Sequence, residues 1–265
     1  MSGAALEVAG LHVSLNGREV LRDVSFTLAP GTFCGLIGAN GSGKTTLLRT
    51  ILGFQPAAAG TIMRQGALGY VPQKLQIAPD MPVRARDLVG LGLPGPRFGF
   101  PWPSAGRRRA VTDVLAAIDA LGFAEQRLGE LSGGQLQRVL IGHALISNPE
   151  ILILDEPLAN LDLRAAAEIV ALLRGVAAGG VTVLIAAHDM NPLLGAMDCV
   201  VYLANGRAAT GRTDEVVRTE VLSALYGYHI DVIRVHGRVL VIAAAGADEL
   251  PGVLAYHPAH VAQIP

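Results

Sequence analysis

The stretch Gly38-Ala39-Asn40-Gly41-Ser42-Gly43-Lys44-Thr45-Thr46 constrains this chain more than any other. It fits the pattern G-x-x-x-x-G-K-[ST], and its flanks fit as well. Ahead of it, Thr32-Phe33-Cys34-Gly35-Leu36-Ile37 is a short apolar run of the kind that fills a buried strand. Behind it, Leu47, Leu48, Ile51 and Leu52 share one helical face, and Gly53 supplies a stop. The glycines let successive backbone N–H groups turn inward around phosphate oxygens with no side chain between. The following helix points its positive dipole end at the same anion. Lys44 can neutralise the β and γ phosphates, and the Thr45 hydroxyl can ligate Mg²⁺. Gly38, Asn40, Gly41, Ser42, Gly43, Lys44, Thr45 and Thr46 therefore read as the cradle of a nucleoside triphosphate.

The rest of the chain alternates in a way that suits such a loop. Leu6 to Leu15 and Val20 to Leu28 are strand-like runs broken at Asn16-Gly17, a strong hairpin signal, so an antiparallel sheet precedes the loop. Thr61 to Tyr70 reads as further strand, followed by Val71-Pro72-Gln73. From Lys74 the character changes. Met81 to Leu91 reads as a short helix, and the proline-rich stretch from Leu93 through Trp102 and Pro103 reads as a loop. Arg107-Arg108-Arg109 opens a helix with Val111, Val114, Leu115, Ile118 and Leu121 on one face. The triplet reads as a solvated helix start, with contact to anionic lipid or a membrane partner as the other reading. Gln135 to Ser147 is a helix capped by Ser132. Ile151 to Leu154 is a buried parallel strand, Asp162 caps a helix to about Arg174, and Val181 to Ala187 is another strand ending at His188. This gives an α/β core with the nucleotide at the strand C-terminal ends. Residues 199–211 form a second hairpin through Asn205-Gly206, and Val232 to Val235 with Arg238 to Ala243 form a last β pair.

Composition sets bounds around this. With 51% apolar and 16% charged residues over 265 positions, the chain is one ordinary domain, or one with a small appendage, with ample core. A net charge of −1 gives no global reason to expect nucleic acid as a partner. No segment approaches a spanning helix and no secretion signal opens the chain, so it reads as a soluble, cytoplasmic protein. Cys34 and Cys199 both lie in strand-like runs and read as buried thiols.

Two further groups carry chemistry. Asp155, at the end of a buried strand, meets the need for an acid that holds Mg²⁺ through its water shell. Glu156, next to it, can orient or deprotonate an attacking water. Leu131-Ser132-Gly133-Gly134-Gln135 places exposed glycines behind a serine cap at a helix start, a second anion-binding end that serves no purpose in cis.

With these motifs in order, the chain resembles the ATP-binding subunits of ABC transporters from residue 6 to about 240. In that family the phosphate loop matches Gly38–Thr45 and the switch glutamine matches Gln73 of Tyr-Val-Pro-Gln. The signature matches Leu131–Gln135, the acid pair matches Asp155-Glu156, the following turn matches Leu158–Asp162 and the switch histidine matches His188. The resemblance implies an ABC-type P-loop NTPase core with an antiparallel β subdomain and an inserted α-helical subdomain. It places the ATPase domain over residues 1–245, the helical part at about 75–135, and an irregular tail over 246–265.

It further implies ATP and Mg²⁺ as ligands, with Thr45, Gln73 and Asp155 around the metal and Lys44, Gln73, Glu156 and His188 as the catalytic set. A head-to-tail dimer would then bring Ser132, Gly133, Gly134 and Gln135 to the γ phosphate held by the other protomer, with Asp162 facing across. Two positions depart from the family pattern. Leu15 stands where an aromatic usually stacks on adenine, giving apolar contact without a π face, and His143 stands where an arginine is frequent.

The implied partners are a second copy, transmembrane permease subunits at the cytoplasmic face of the membrane, and an extracytoplasmic metal-binding protein. The expected permease-docking surface is Leu75, Ile77, Met81, Pro82 and the loop to Trp102. His188-Asp189-Met190-Asn191-Pro192, Val201 to Arg207, Val221 to Gly227 and the closing β pair resemble the zinc and manganese importer branch, so the expected function is ATP-driven import of manganese or zinc. Iron-siderophore, haem or cobalamin uptake and a non-transport ATPase of cofactor assembly are the alternatives. His229, His236, His257 and His260 lack ligand spacing and read as surface residues.

Overall fold

The structure, a computed structural model, describes residues 3–73, 78, 81–93 and 105–243. Strands β1 (Leu6–Leu15) and β2 (Arg18–Leu28) pair antiparallel. Asn16 and Gly17, with φ of 50° and 77°, make the left-handed turn that matches strand twist. Strand β3 (Phe33–Ile37) is buried along its whole length and leads through the phosphate loop into helix α1 (Lys44–Ile51). Leu47, Leu48 and Ile51 of α1 are fully buried, each worth about 1.5–3 kcal/mol against exposure.

The run 61–70, read as one stretch of strand, is two. Strand β4 (Ala59–Arg64) joins the free edge of β1, while β5 (Leu68–Val71) pairs parallel with a strand from the far half of the chain. Gly66 separates them at a φ of 74°.

The next segment is helical. Helix α2 (Ala85–Leu91) starts four residues later than the sequence pattern gives, because the N–H groups of Ala85 and Arg86 bond to the Gln126 and Ala124 carbonyls. Pro82 lies before that start, and Leu75, Ile77 and Trp102 lie outside the described residues. Helix α3 (Ala105–Ala117) buries Val111 and Leu115. It ends as Asp119 turns left-handed at φ 53°, so Leu121 leaves the expected apolar face and is exposed. In the arginine triplet, Arg107 donates to the Gly90 carbonyl at 3.4 Å and Arg109 lies 3.9 Å from Asp113. Helix α4 (Gly133–Leu145) is tied to α2 by His143 Nδ1 on the Leu88 carbonyl at 2.8 Å.

Then follow β6 (Ile151–Asp155), α5 (Leu163–Ala178), β7 (Thr182–Ala187), β8 (Cys199–Ala204), β9 (Arg207–Gly211), α6 (Thr213–Val216), α7 (Thr219–Tyr226), and the hairpin β10 (Ile230–Val235) with β11 (Arg238–Ala243). A six-stranded sheet in the order β5-β6-β7-β3-β8-β9 is parallel except at β9. Its strands are nearly continuous apolar runs because both faces are covered. Phe33, Ile37, Leu152, Leu154, Val183 and Ile185 face one core with α4 and α5 residues. Cys34, Leu36, Ile151, Ile153, Leu184 and Val201 face the other, against α1 and the antiparallel sheet. Cys34 and Cys199 are register partners on β3 and β8 and form no disulfide. Cys34 is buried as expected, Cys199 only partly, and hydrogen bonding to Cys199 together with burial pushes the Cys34 thiol up.

Candidate nucleotide site

Four neighbouring parallel strands, β5, β6, β7 and β3, bring the candidate residues together at their C-terminal ends. From β3 comes the phosphate loop. A Cβ on Gly38 would collide with the Leu203 carbonyl oxygen of β8 and crowd the Ser42 hydroxyl, so only glycine lets the loop pass there. Gly43 caps α1 at a φ of 106°. Lys44 is buried and its Nζ donates to the carbonyls of Gly38 at 2.7 Å and Ala39 at 3.2 Å. Burial pushes the Lys44 ammonium below its ordinary range, opposed by the charges of Glu156 and Asp155.

From β6 come the two acids. Asp155 is buried, and burial raises its carboxyl, with the Glu156 charge adding; a hydrogen bond with Thr45 works the other way. Glu156 turns the chain left-handed at φ 49° directly after the strand. Its carboxylate is where the other groups converge. Gln73 Nε2 donates to it at 2.9 Å, Lys44 Nζ lies at 3.7 Å, and His188 Nδ1, one residue beyond β7, lies at 3.7 Å.

The fit to a magnesium nucleotide rests on this arrangement. Among the described residues, Ser42 Oγ and Asp155 Oδ1 are buried without a hydrogen-bond partner, as a buried hydroxyl and a buried carboxylate rarely are unless a ligand completes them. A Cβ at Gly41 would meet nothing within 4 Å, and Thr45 is exposed at the same loop. Phosphate oxygens suit the backbone and Lys44, and a hard cation suits Asp155 and the Thr45 hydroxyl.

Ser132, Gly133, Gly134 and Gln135 stand apart from this cluster. Ser132 Oγ accepts from Gln135 N at 3.3 Å and Gln135 Oε1 accepts from Ser132 N at 2.9 Å, a reciprocal capping box. Gly133 and Gly134 pack on Leu161 and Ala165, flanking Asp162, which caps α5 by accepting from Ala165 N at 2.7 Å. Ser132 and Gly133 are exposed. Asn40 and Leu15 are also at the surface or partly so, beside the loop and at the β1–β2 turn.

Sequence reading missed three contributors. Leu203 backs the loop through its carbonyl, Arg138 joins the Ile118 carbonyl to Glu168 of α5, and Asn191 binds β11. Only Asn191 carried a local signal, a polar side chain three residues beyond His188.

A parallel sheet with a phosphate loop after β3 and an acid pair after β6 defines an α/β P-loop ATPase. The family model described as ABC transporter matches residues 21–159, more than half of the chain. The chain belongs to the ABC transporter family and carries its ATP-binding domain. It is 38% identical over 229 residues to the zinc import ATP-binding protein ZnuC of Cereibacter sphaeroides, covering 83% of this chain and 88% of that one. It is 31% identical over 231 residues to the manganese transport system ATP-binding protein MntB of Listeria monocytogenes, covering 84% and 96%. Among solved structures, a chain of a metal-chelate type ABC transporter in an inward-facing conformation superposes with a TM-score of 0.78 at 25% identity, covering 90% and 96%. Among the described residues no helix is long and apolar enough to cross a membrane.

Proposed function

We propose that this chain hydrolyses ATP as one of a head-to-tail pair and so powers import of zinc or manganese through separate permease subunits. The hydrolytic part rests on the convergence of Lys44, Gln73 and His188 upon the Glu156 carboxylate. The metal part rests on the likeness to a zinc-import and a manganese-transport subunit.

In this reading Lys44 exchanges its Gly38 and Ala39 carbonyls for β and γ phosphate oxygens, while the loop from Gly38 through Asn40, Gly41, Ser42 and Gly43 to Thr45 and Thr46 cradles the rest. Thr45, Asp155 and Gln73 hold Mg²⁺. When bound, the ion neutralises charge that develops on the phosphoryl oxygens. Glu156 orients the attacking water and takes its proton, and His188 holds the γ phosphate from the end of β7. Ser132, Gly133, Gly134 and Gln135 of the second protomer complete the site, with Asp162 facing across the pair. Gln73 joins the site to the inserted helical segment at about 75–135, where Met81 and Pro82 are exposed toward a permease. The domain then spans residues 1–245, the tail 246–265, and the pair sits at the cytoplasmic face of the membrane, fed from outside by a metal-binding protein.

Cells lacking the protein should lose zinc or manganese accumulation while iron uptake stays normal. Loss of iron alone would move the reading to siderophore or haem uptake, and no change in any metal would overturn it. Tagged protein extracted in mild detergent should bring down a hydrophobic permease. In vitro, Glu156→Gln should lower turnover by about a hundredfold or more while trapping ATP in a stable dimer; unchanged turnover removes Glu156 as the base.

A further inference from the structure

The loop that carries His188 has little regular structure of its own. It leaves β7 at Ala187, and only a single 3₁₀ turn, Asn191–Leu193, follows. His188 itself is more than half exposed, so packing does not fix its ring. Met190 and Leu193 are buried and seat the loop on the core, and the side chain of Asn191 ties it to the last hairpin. Its Nδ2 donates to Asp189 Oδ1 at 2.8 Å, and its backbone N donates to the same oxygen at 2.9 Å. Nδ2 also donates to the Val239 carbonyl at 3.0 Å, and Oδ1 accepts from Val239 N at 2.7 Å. Both amide protons and the amide oxygen are thus engaged. The orientation of the amide is unambiguous, because the Val239 N–H must meet an oxygen and the Val239 carbonyl a nitrogen.

Val239 lies on β11, opposite Arg234 of β10. Its N–H and C=O turn away from β10, as in a non-hydrogen-bonded antiparallel pair, and Asn191 takes the place of a further strand. The hairpin that receives the clamp is itself anchored. Val239 and Ile230 are buried, Ser223 Oγ accepts from Ile230 N at 2.9 Å, and Thr219 Oγ1 accepts from Val232 N at 3.1 Å. Arg234 Nη2 donates to the Val217 carbonyl at 3.1 Å.

We infer that Asn191 is a positioning residue for hydrolysis: it fastens the loop bearing His188 to the β10–β11 hairpin, which makes that hairpin part of the catalytic assembly. The inference rests on the role given to His188 above. An asparagine that merely tethers the hairpin would affect stability alone. One that positions His188 affects turnover, and does so only while His188 is present.

The test is ATP turnover by the full chain. Asn191→Ala should lower kcat about tenfold and leave the KM for ATP within about twofold, because the clamp does not touch the phosphate loop. Asn191→Ala/His188→Ala should turn over no more slowly than His188→Ala, since one residue acts through the other. A wild-type kcat in Asn191→Ala beside an impaired His188→Ala, or losses that multiply in the double variant, overturns the clamp. Wild-type turnover in His188→Ala instead removes the reading of His188 on which the clamp depends. Should Asn191→Ala not fold, Asn191→Ser replaces it with the same expected direction. Hydrogen exchange on the unaltered protein gives an independent arm: the Val239 amide should exchange as slowly as its ladder-bonded neighbours, and rapid exchange overturns the proposal.

Discussion

Glu156 holds a backbone conformation that a non-glycine residue adopts at a cost of about 1–3 kcal/mol. Its N–H still donates to the Ala186 carbonyl, continuing the β6–β7 ladder, before the chain turns left-handed. The turn aims the carboxylate at Lys44, Gln73 and His188 while Asp155 stays inside. The two adjacent acids therefore live in different surroundings, and burial raises Asp155 above its ordinary range. The sign follows from proton linkage. A carboxyl raised in the folded state binds protons more tightly there than in the unfolded chain, so its stabilising share is present at acid pH and lost as pH rises through the folded value. At neutral pH, without a cation, ionised Asp155 works against folding. Asp155→Asn should accordingly melt at a higher temperature than the unaltered protein in nucleotide-free buffer at pH 7, and the gain should shrink as the pH is lowered. The same variant should lose magnesium-dependent hydrolysis. Differential scanning calorimetry across pH checks the first part, and a lower or unchanged melting temperature at pH 7 would contradict it.

At the scale of elements, the start of α4 combines two jobs in a few residues. Ser132 caps the helix and leaves Gly133 open to solvent, so the cap that stabilises this protomer also shapes the surface proposed to meet its partner. Ser132→Ala should destabilise the fold by about 1 kcal/mol, measured by urea unfolding. It should lower hydrolysis more than that loss explains, with nucleotide affinity of the monomer unchanged, because the phosphate loop lies elsewhere. Such elements were legible because their signals are local: Asn16-Gly17 announces its hairpin, the serine announces its helix, and the glycine-lysine loop announces its strand and helix. What stayed hidden depends on partners distant in sequence. Nothing near Gly66 says that the strands on its two sides join different sheets. Nothing near Pro82 says that α2 waits until Ala85, since the deciding carbonyls belong to Ala124 and Gln126. The candidate site was legible residue by residue, but the meeting of Gln73 with Glu156 and of Asn191 with Val239 is a matter of tertiary distance.

For the whole molecule, an incomplete site means that ligand and stability are coupled. Ser42 Oγ and Asp155 Oδ1 gain partners only with something bound, and Lys44 meanwhile holds on to loop carbonyls. ATP with Mg²⁺ at a hundred times its dissociation constant stabilises the fold by about 2.7 kcal/mol, which raises the melting temperature by about 5–10 °C for a chain of this size. Thermal shift in Glu156→Gln, which keeps its nucleotide, should show that rise, and a rise of under one degree would contradict the site. The strand order also has a consequence for how the protein is made. Strand β3, which carries the phosphate loop, lies between β7 and β8, so both of its neighbours come from the last third of the chain. At ordinary translation speeds its apolar residues leave the ribosome on the order of ten seconds before either neighbour exists. Throughout that interval Phe33 to Ile37 offer two unpaired edges. The nascent chain is thus most exposed to misassociation while its phosphate-loop strand waits, with the α1 helix and the β1–β2 sheet, already made, covering one face and α4 the other once it follows.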